Sequence, residues 1–586
     1  MFFLENITGN FYFGIVIASR CGQQIDANLE KNIINLVNGR LEMQIKFKQR
    51  PLAIISTILG LSFSSVAMAA TVPNGVVLAI DQSITINNGS EVASLDPHKV
   101  EGNPETNIIL NLLEGLVSND ANGHVIPAVA THWDNDGYKI WTFHLRDDAV
   151  WSDGTPVTAQ DFVYSWQRLA NPKIGSPYAS YLQYAQIENV DEVLKGTKTP
   201  DELGVKALDN KTLQVTLTEP VPYFISMLSH TSMKPVRRDI VEKYGDKWTL
   251  PQNFVGNGAY RLKDWVVNER IVLERNPTYW NNKETVINKA TFLPITSEVS
   301  DINRYRSGEI DITNSAIPPN LFAKMKKDLP SQVHVSPYLC TFYYEINNKK
   351  APFTDVRVRT AIKLTLDRDI IATKIMGQGQ IPAYGFTPTF TDGGNFARPE
   401  WASWSQEQRN AEAKKLLAEA GYNAENPLKF NLLYNTSDQN KQQAIAAASM
   451  WQKNLGATVT LQNQEWKTSL ESRHQGQFDV ARATWCGDYN EPTAFLNMLL
   501  SDSSNNTFFY KNPEFDALLA KTLAAPDAKA RTALYQQAEN LLDKDSAMVP
   551  VYYRVSVRLI RPTVGGFTGK DPQDLVDLKN LYIRKL

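Results

Sequence analysis

The sequence lacks an excess of charge of either sign. Its 586 residues include 60 lysines and arginines against 62 aspartates and glutamates, a formal charge of -2. This balance excludes the basic footprint with which proteins bind nucleic acids or anionic membranes electrostatically. Hydrophobic residues make up 43% of the chain and charged residues 21%, as in ordinary globular proteins. A chain of this length divides into about two to four hydrophobic cores.

Sequence signatures of catalysis are also missing. The chain has no H-E-x-x-H, no G-x-S-x-G, no P-loop and no glycine fingerprint for a dinucleotide. Its histidines do not show the spacing of metal ligands. They are His98, His124, His132, His144, His230, His334 and His474. These absences favour a binding protein without cofactor or metal, with a hydrolase built on dispersed carboxylates as the alternative.

The N-terminal region has the pattern of a secretory signal peptide. From Met43 onward a basic segment is followed by an apolar run at 52–61 and by Ala67-Met68-Ala69, which predicts cleavage after Ala69. The apolar run is too short for a comfortable membrane span. Residues 1–42 precede a complete signal peptide and are interpreted as a non-native extension, with Met43 as the initiator.

Cysteines are scarce. Of the three, Cys21 lies upstream of the predicted cleavage site, which leaves Cys340 and Cys486. An even count in an exported protein favours a disulfide, and two buried free thiols are the alternative.

Periodicity predicts a mixed α/β chain. Strands are expected at 141–145, 212–218, 309–312, 340–347 and 549–553, a strand pair at 260–274, and helices at 106–116, 355–366, 405–421 and 530–544. Thr158 and Asp161 form a helix-capping pattern, and so do Ser405 and Gln408. Between 428 and 479 strands and helices alternate, which predicts a largely parallel sheet.

Residues 482–492 concentrate chemically active side chains where a strand is expected to end. Arg482, Trp485, Cys486 and Asp488 fall within seven residues, and ligands of open α/β sheets dock at the carboxyl ends of strands. Asp488 is interpreted either as a turn aspartate bonded to its own backbone or as a carboxylate held for a cationic ligand group.

Several long, aromatic-rich motifs resemble the periplasmic oligopeptide-binding proteins of ABC importers. They are the block at 141–166, Asn257-Gly258-Ala259-Tyr260, the segment at 274–280 and the segment at 479–492. The resemblance extends from about residue 70 to 586. It implies an α/β fold of the two-lobed periplasmic-binding-protein type (class II), with an additional inserted domain and a hinge between the lobes.

The resemblance also implies domain boundaries. The first lobe is expected from 70–113, 238–339 and 556–586, the inserted domain from 114–237, and the second, peptide-binding lobe from 340–555.

Functional positions can be carried over residue by residue. Asp488 matches the carboxylate that pairs with the peptide α-amino group, and Cys340 with Cys486 matches the family disulfide. The remaining ligand-binding expectations are Arg482, Trp485, Trp466, Tyr178, His474 and Glu101. Taken singly, the aromatic residues would be interpreted as core, His474 as a surface helix residue and Glu101 as a solvated acid.

Two positions depart from the pattern. Where relatives place basic groups for the peptide carboxylate, this chain has Met376 and Asn440, with Lys441 adjacent. The sequence therefore does not identify the group that neutralises the peptide C-terminal carboxylate, or the peptide length that is favoured.

The predicted function is a monomeric periplasmic receptor that captures short peptides through backbone contacts and delivers them to a membrane ABC permease. No catalysis, cofactor, metal or nucleic acid is expected. The alternatives are a receptor specific for murein peptides, an exported peptidase and a chaperone-like binder of unfolded chains.

Overall fold

The computed structural model describes residues 72–525 and 527–586. The predicted signal peptide, its cleavage site and the extension at 1–42 lie outside the described residues. Within the described part, none of the helices is long and apolar enough to cross a bilayer.

Strands are numbered in chain order. They are β1 Ser83–Asn87, β2 Val117–Asn119, β3 Val125–Pro127, β4 Ala130–Asp136, β5 Ile140–Leu145, β6 Val205–Asp209, β7 Thr212–Thr216, β8 Tyr260–Val266, β9 Arg270–Arg275, β10 Lys289–Leu293, β11 Val333–Ile346, β12 Ile381–Pro382, β13 Lys429–Asn435, β14 Thr458–Gln464, β15 Val480–Cys486, β16 Met548–Leu559, β17 Val564–Gly565 and β18 Tyr582–Ile583.

Helices are numbered in the same way. The α-helices are α1 Asn103–Leu112, α2 Ala159–Ala170, α3 Tyr181–Tyr184, α4 Val190–Leu194, α5 Phe224–Met227, α6 Arg238–Tyr244, α7 Glu298–Ser307, α8 Pro319–Asp328, α9 Val356–Leu364, α10 Gln406–Glu419, α11 Asp438–Leu455, α12 Trp466–His474, α13 Thr493–Leu496, α14 Pro513–Leu523 and α15 Ala528–Lys544. A π-helical segment spans Ile370–Met376. Short 3-10 helices are Pro200–Glu202, Thr231–Met233, Gly245–Thr249, Asn282–Glu284, Glu400–Ser403, Asn497–Leu499 and Leu578–Asn580.

Three sheets organise these elements. Sheet A has the order β1-β10-β9-β8, sheet B the order β12-β16-β11-β15-β13-β14, and sheet C the order β4-β5-β7-β6. Sheet C is entirely antiparallel, and its strands fall within residues 130–216. In sheet A only β1 and β10 are parallel.

Local sequence sets the helix ends as expected. Thr158 and Asp161 form a capping box at α2, and Ser405 with Gln408 does the same at α10; each box satisfies amide groups that have no partner inside the helix. After α10, Gly421 adopts a φ of +91°, a left-handed conformation that glycine adopts without strain.

Three secondary-structure predictions were wrong in part, each because tertiary contacts override local pattern. The helix expected at 106–116 is α1, which ends at Leu112 because the Gly258 amide donates to its carbonyl. Residues 309–312 form no regular strand, and Ile312 makes only isolated bridges to Ile86 and Ile560.

The sheet that contains 428–479 is mixed rather than largely parallel. Strands β13, β14 and β15 are parallel to one another, but β11 pairs antiparallel with both β15 and β16. The alternation predicted the parallel part of the sheet, and the strands at 340–347 and 549–553 were also predicted, but their antiparallel pairing into this sheet has no local signal.

The predicted disulfide is confirmed. Cys340 on β11 lies directly opposite Cys486 on β15, and their sulfur atoms are bonded across a sequence separation of 146 residues. The bond ties the end of β15 to the centre of sheet B.

Removing the disulfide should destabilise the protein. The double variant C340S/C486S is expected to lower the free energy of unfolding by about 2–5 kcal/mol, since the cross-link restricts a long loop in the unfolded chain. Guanidinium denaturation of the oxidised protein measures this, and wild-type protein under reductant serves as the control. Equal midpoints for wild type and double variant without reductant would contradict the assignment.

Candidate functional site

A polar cavity of about 260 Å³ lies where α1, α11, α12 and the carboxyl end of β15 meet. Asparagine, arginine and acidic side chains form much of its wall, among them Asn88, Asn103, Asn440, Arg554 and Asp574. Six of the seven predicted ligand-binding residues line it: Asp488, Arg482, Trp485, Trp466, Tyr178 and Glu101. The seventh, His474, lies behind the wall, hydrogen-bonded to Glu101.

Asp488 is a carboxylate without a cationic side-chain partner. Its side chain is 12% exposed, and its Oδ1 accepts a hydrogen bond from the Tyr178 hydroxyl at 3.3 Å. No lysine or arginine among the described residues lies within ion-pair distance of it. Burial raises the pKa of Asp488 to about 8, because an isolated charge is costly away from water.

His230 lies close to Asp488 but does not neutralise it. Its Nε2 is 3.3 Å from Asp488 Oδ1, a distance typical of an ion pair if the imidazole were charged. Burial lowers the pKa of His230 to about 3, so the ring is neutral. Because its Nδ1 accepts from the Ser232 amide, Nε2 carries the proton and donates to the carboxylate.

An aromatic stack supports this corner of the cavity. The ring of Tyr178 lies between His230, at 4.4 Å between centroids, and Trp485, at 6.4 Å. The indole Nε1 of Trp485 donates to the Ala494 carbonyl, which fixes the ring orientation. The sequence offered no signal for His230, which stands in an unremarkable Ser-His-Thr segment.

Arg482 is the complementary case, a cation without a carboxylate. Its guanidinium donates to Asn435 Oδ1 at 3.2 Å and to Thr484 Oγ1 at 3.0 Å. Burial, together with the neighbouring charge of Arg554, lowers the pKa of Arg482 to about 10. Within the described residues no acidic side chain forms an ion pair with it.

Some other charges at the wall form ion pairs, whereas Arg554, which also lines the cavity, lies over the Tyr338 ring and forms no ion pair among the described residues. His474 Nε2 is 2.8 Å from Glu101, and Arg473 Nε donates to the fully buried Glu345 at 2.7 Å. Burial opposes both charges of the first pair, but His474 holds the pKa of Glu101 below its usual value and Glu101 raises the pKa of His474. His474 is therefore an inward-facing ion-pair partner and not a free surface residue.

Trp466 approaches the start of α1 closely. A Cβ atom on Gly102 would lie 2.8 Å from its ring and 2.4 Å from the carboxylate of Glu105, so only glycine fits there. Burial raises the pKa of Glu105 to about 7. Trp466 thus packs against a carboxyl group whose charge is disfavoured.

The two positions that depart from the family pattern do not provide a cation. Met376 is buried and contacts the Gln443 amide. Asn440 lines the cavity and donates to Asn435. Lys441 is exposed on α11, so it does not replace the missing basic group.

One edge of β15 is unpaired where it reaches the cavity. Its other edge pairs with β11 from Val480 to Cys486. The pairing with β13 stops at Leu433 and Ala481. From Arg482 to Cys486 the backbone therefore presents hydrogen-bonding groups toward the space between the diverging strands.

Two helix N-termini cap each other beside the cavity. The carboxylate of Glu298, at the start of α7, accepts from the amide of Asp438 at 2.8 Å. The Asp438 carboxylate, at the start of α11, accepts from the Ser297 hydroxyl at 2.7 Å. Asp438 also meets the free amide of Val299 at the start of α7, a favourable place for a negative group, whereas burial and the neighbouring Asp438 raise the pKa of Glu298.

Comparisons with known proteins agree with this architecture. The family described as bacterial extracellular solute-binding proteins, family 5 middle, matches residues 124–507. The chain is 63% identical over 537 residues to the periplasmic oligopeptide-binding protein OppA of Escherichia coli (strain K12), across 92% of this chain and 99% of that protein. Haemophilus influenzae OppA in complex with RPPGFSPFR is 52% identical and superposes with a TM-score of 0.86, across 87% of this chain and 100% of that chain.

The murein tripeptide binding protein MppA of Escherichia coli appears in two forms. One is 47% identical and superposes with a TM-score of 0.86, across 87% of this chain and 100% of that chain. Its unliganded open form gives only 0.62, across 88% and 99%. The sequence identity is 47% in both comparisons, so the lower TM-score reflects a difference in conformation. The present arrangement therefore differs from the open form.

These matches confirm the predicted α/β fold: two lobes of the periplasmic-binding-protein type joined by a hinge, with an additional inserted domain. The chain belongs to family 5 of the bacterial extracellular solute-binding proteins.

Proposed function

We propose that this protein is a periplasmic receptor that encloses short peptides in the cavity and delivers them to a membrane ABC permease, without catalysis. The observation that carries the proposal is Asp488, a largely buried carboxylate that lacks a cationic side chain. A peptide α-ammonium would supply the missing charge. The names of the relatives, oligopeptide- and murein-peptide-binding proteins, support a peptide ligand.

The unpaired charges match the two ends of a peptide. Asp488, just beyond the carboxyl end of β15, would bind the ammonium group, and Arg482, within the strand, would bind a carboxylate. Glu101, His474, Trp466, Trp485 and Tyr178 would shape the pockets between them. Arg482 would thereby neutralise the peptide carboxylate, which Met376 and Asn440 cannot do.

The unpaired edge of β15 supports recognition through the backbone. An extended peptide can add to the edge between Arg482 and Cys486, and main-chain hydrogen bonds then provide affinity that is independent of side-chain identity. This mode suits a receptor for peptides of varied sequence.

We assign the first lobe to 70–113, 238–339 and 556–586, the inserted domain to 114–237, and the second lobe to 340–555. Sheet A falls within the first lobe and sheet C within the inserted domain, which supports the division. Strands β11 and β16 of sheet B cross the boundaries at 339/340 and 555/556. The register of β11 against β16 shifts between Pro337 and Thr341, which supports a hinge at the 339/340 and 555/556 boundaries.

The first test removes the ligand amine. Ligand-stripped protein, titrated calorimetrically with a lysine-rich tripeptide and its N-acetylated twin, is expected to bind the free-amine peptide alone. Equal binding of the two would exclude Asp488 as an amine site.

If neither binds, a murein tripeptide is titrated next. Cleavage products after prolonged incubation, detected by mass spectrometry, would favour the peptidase alternative.

The second test removes the carboxylate charge. Asp488→Asn is expected to weaken binding of the free-amine tripeptide by about 2–5 kcal/mol, because a desolvated ammonium loses its counter-charge. Asp201→Asn, an exposed substitution, is the matched control and should leave affinity unchanged. Wild-type affinity in Asp488→Asn would remove Asp488 from this role.

Asp488→Asn should not destabilise the peptide-free protein. A carboxyl whose pKa rises from 3.8 to about 8 on folding makes stability fall as pH increases between those values, because the unfolded chain releases its proton first. An asparagine at this position cannot ionise, so the stability of the Asp488→Asn variant should not show this decrease with pH. Thermal unfolding of both proteins at pH 5 and pH 7.5 measures it, and a larger loss of stability in the variant at pH 7.5 would contradict the assignment.

Peptide binding is expected to release a proton. At pH 6 the empty site holds Asp488 protonated, since its pKa is about 8, whereas the ion pair with an ammonium requires the carboxylate. Affinity should rise toward pH 8 by at most about tenfold per pH unit. Calorimetry at pH 6 in two buffers of different ionisation enthalpy detects the proton. Equal enthalpies in both buffers, or the same proton release in Asp488→Asn, would contradict the linkage.

A further inference from the structure

Sheet C carries a cluster of potential metal ligands on its exposed face. His132 on β4 lies directly opposite His144 on β5, and Asp134 is on the same face as His132 because side chains alternate along a strand. Ligand atoms of the three residues all lie within 4.8 Å of one another. Elsewhere in the described chain no other group of three or more such side chains meets this condition.

We propose that His132, Asp134 and His144 form a surface site for a divalent transition-metal ion such as zinc. Two imidazoles and one carboxylate are a ligand set that zinc uses when it keeps an open position for water. The set does not suit calcium or magnesium, which take oxygen ligands. The site is separate from the peptide cavity, whose wall includes none of the three residues.

The geometry brings ligand atoms of the three residues within 4.8 Å of one another. His144 Nε2 is 3.1 Å from Asp134 Oδ2. Zinc bonds of about 2.0–2.2 Å in tetrahedral geometry place neighbouring ligand atoms about 3.3–3.6 Å apart. The two imidazole rings are stacked with 4.3 Å between centroids and 10° between planes, so metal binding requires at least one ring to turn until the in-plane lone pairs of both meet at the ion.

A hydrogen bond with Thr131 fixes the tautomer of His132 that can bind a metal. The Thr131 hydroxyl is 2.9 Å from His132 Nδ1 and donates to the His144 carbonyl at 3.1 Å. Since the hydroxyl has a single proton, its oxygen must accept from Nδ1–H of the neutral ring. The lone pair of His132 is then on Nε2, and a ligand histidine held through its other nitrogen is the usual arrangement at metal sites.

The packing of sheet C keeps the ligands in place. Trp133, between the two ligands on β4, and Phe143, next to His144 on β5, face the opposite side and pack with ring centroids 6.3 Å apart. Phe143 is fully buried and Trp133 partly buried in the core, which anchors both strands beneath the cluster. Ligand substitutions on the exposed face therefore leave the core of the inserted domain intact.

The test is zinc titration of the untagged, secreted protein after treatment with chelator. Calorimetry with zinc chloride should find one site whose affinity falls about 10–100-fold in His132→Ala and in His144→Ala, and also falls in Asp134→Asn. The matched control is His124→Ala. His124 is exposed and lies 3.1 Å from Asp120, a pair without a third ligand, so its loss should leave zinc affinity unchanged.

Cobalt(II) provides a second readout. Bound through two imidazoles and a carboxylate, it should give stronger visible absorption than the hydrated ion, and His132→Ala should abolish the difference. Thermal unfolding confirms that each variant is folded, and tripeptide affinity should be the same in all of them. Absence of zinc binding, or equal zinc affinity in wild type, His132→Ala and His144→Ala, would overturn the proposal.

Discussion

The antiparallel pairing of β11 with β15 is the constraint on which the site depends. It aligns Cys340 with Cys486 and Tyr344 with Arg482, and the disulfide closes the end of the pair. Because β11 also pairs with β16 on its other edge, β15 is tied to the centre of sheet B. The free edge of β15 and the loop that carries Asp488 are therefore held in one place relative to sheet B.

This framework separates two classes of charge at the cavity. Glu101 with His474, Glu345 with Arg473 and Asp574 with Arg558 form internal pairs. Burying a charge costs several kcal/mol, which a close partner offsets only when the geometry is good. The paired groups have that compensation already, so they contribute shape and polarity. Asp488, Arg482 and Arg554 lack it, so these groups gain most from a ligand of opposite charge.

The sequence predicted what depends on local pattern or on long motifs. Capping at Thr158 and Ser405 and the helix–strand alternation after 428 leave signals in neighbouring residues, whereas the pairing of the two cysteines followed from their even number and from the family resemblance. What it could not predict depends on registers between distant strands. His132 and His144 are twelve residues apart without helical or loop spacing, and only the antiparallel register of β4 and β5 makes them neighbours. His230 and Asp488 are 258 residues apart in the sequence, and no local pattern predicts their contact.

The proposed function couples closure to ligand binding through the same unpaired charges. The reciprocal caps between Glu298 and Asp438 stabilise the present arrangement whether or not a peptide is bound. When the cavity is empty, Asp488 and Arg482 destabilise the closed arrangement, because closure removes them from water without providing partners of opposite charge. Under the proposed function a peptide would reverse the sign of that contribution. A ligand shifts a conformational equilibrium only by its difference in affinity between the two states, and the proposal places that difference at Asp488 and Arg482, which would neutralise the ends of the peptide only after closure. The caps alone should therefore leave the empty receptor able to open, and the ligand should determine how long it stays closed.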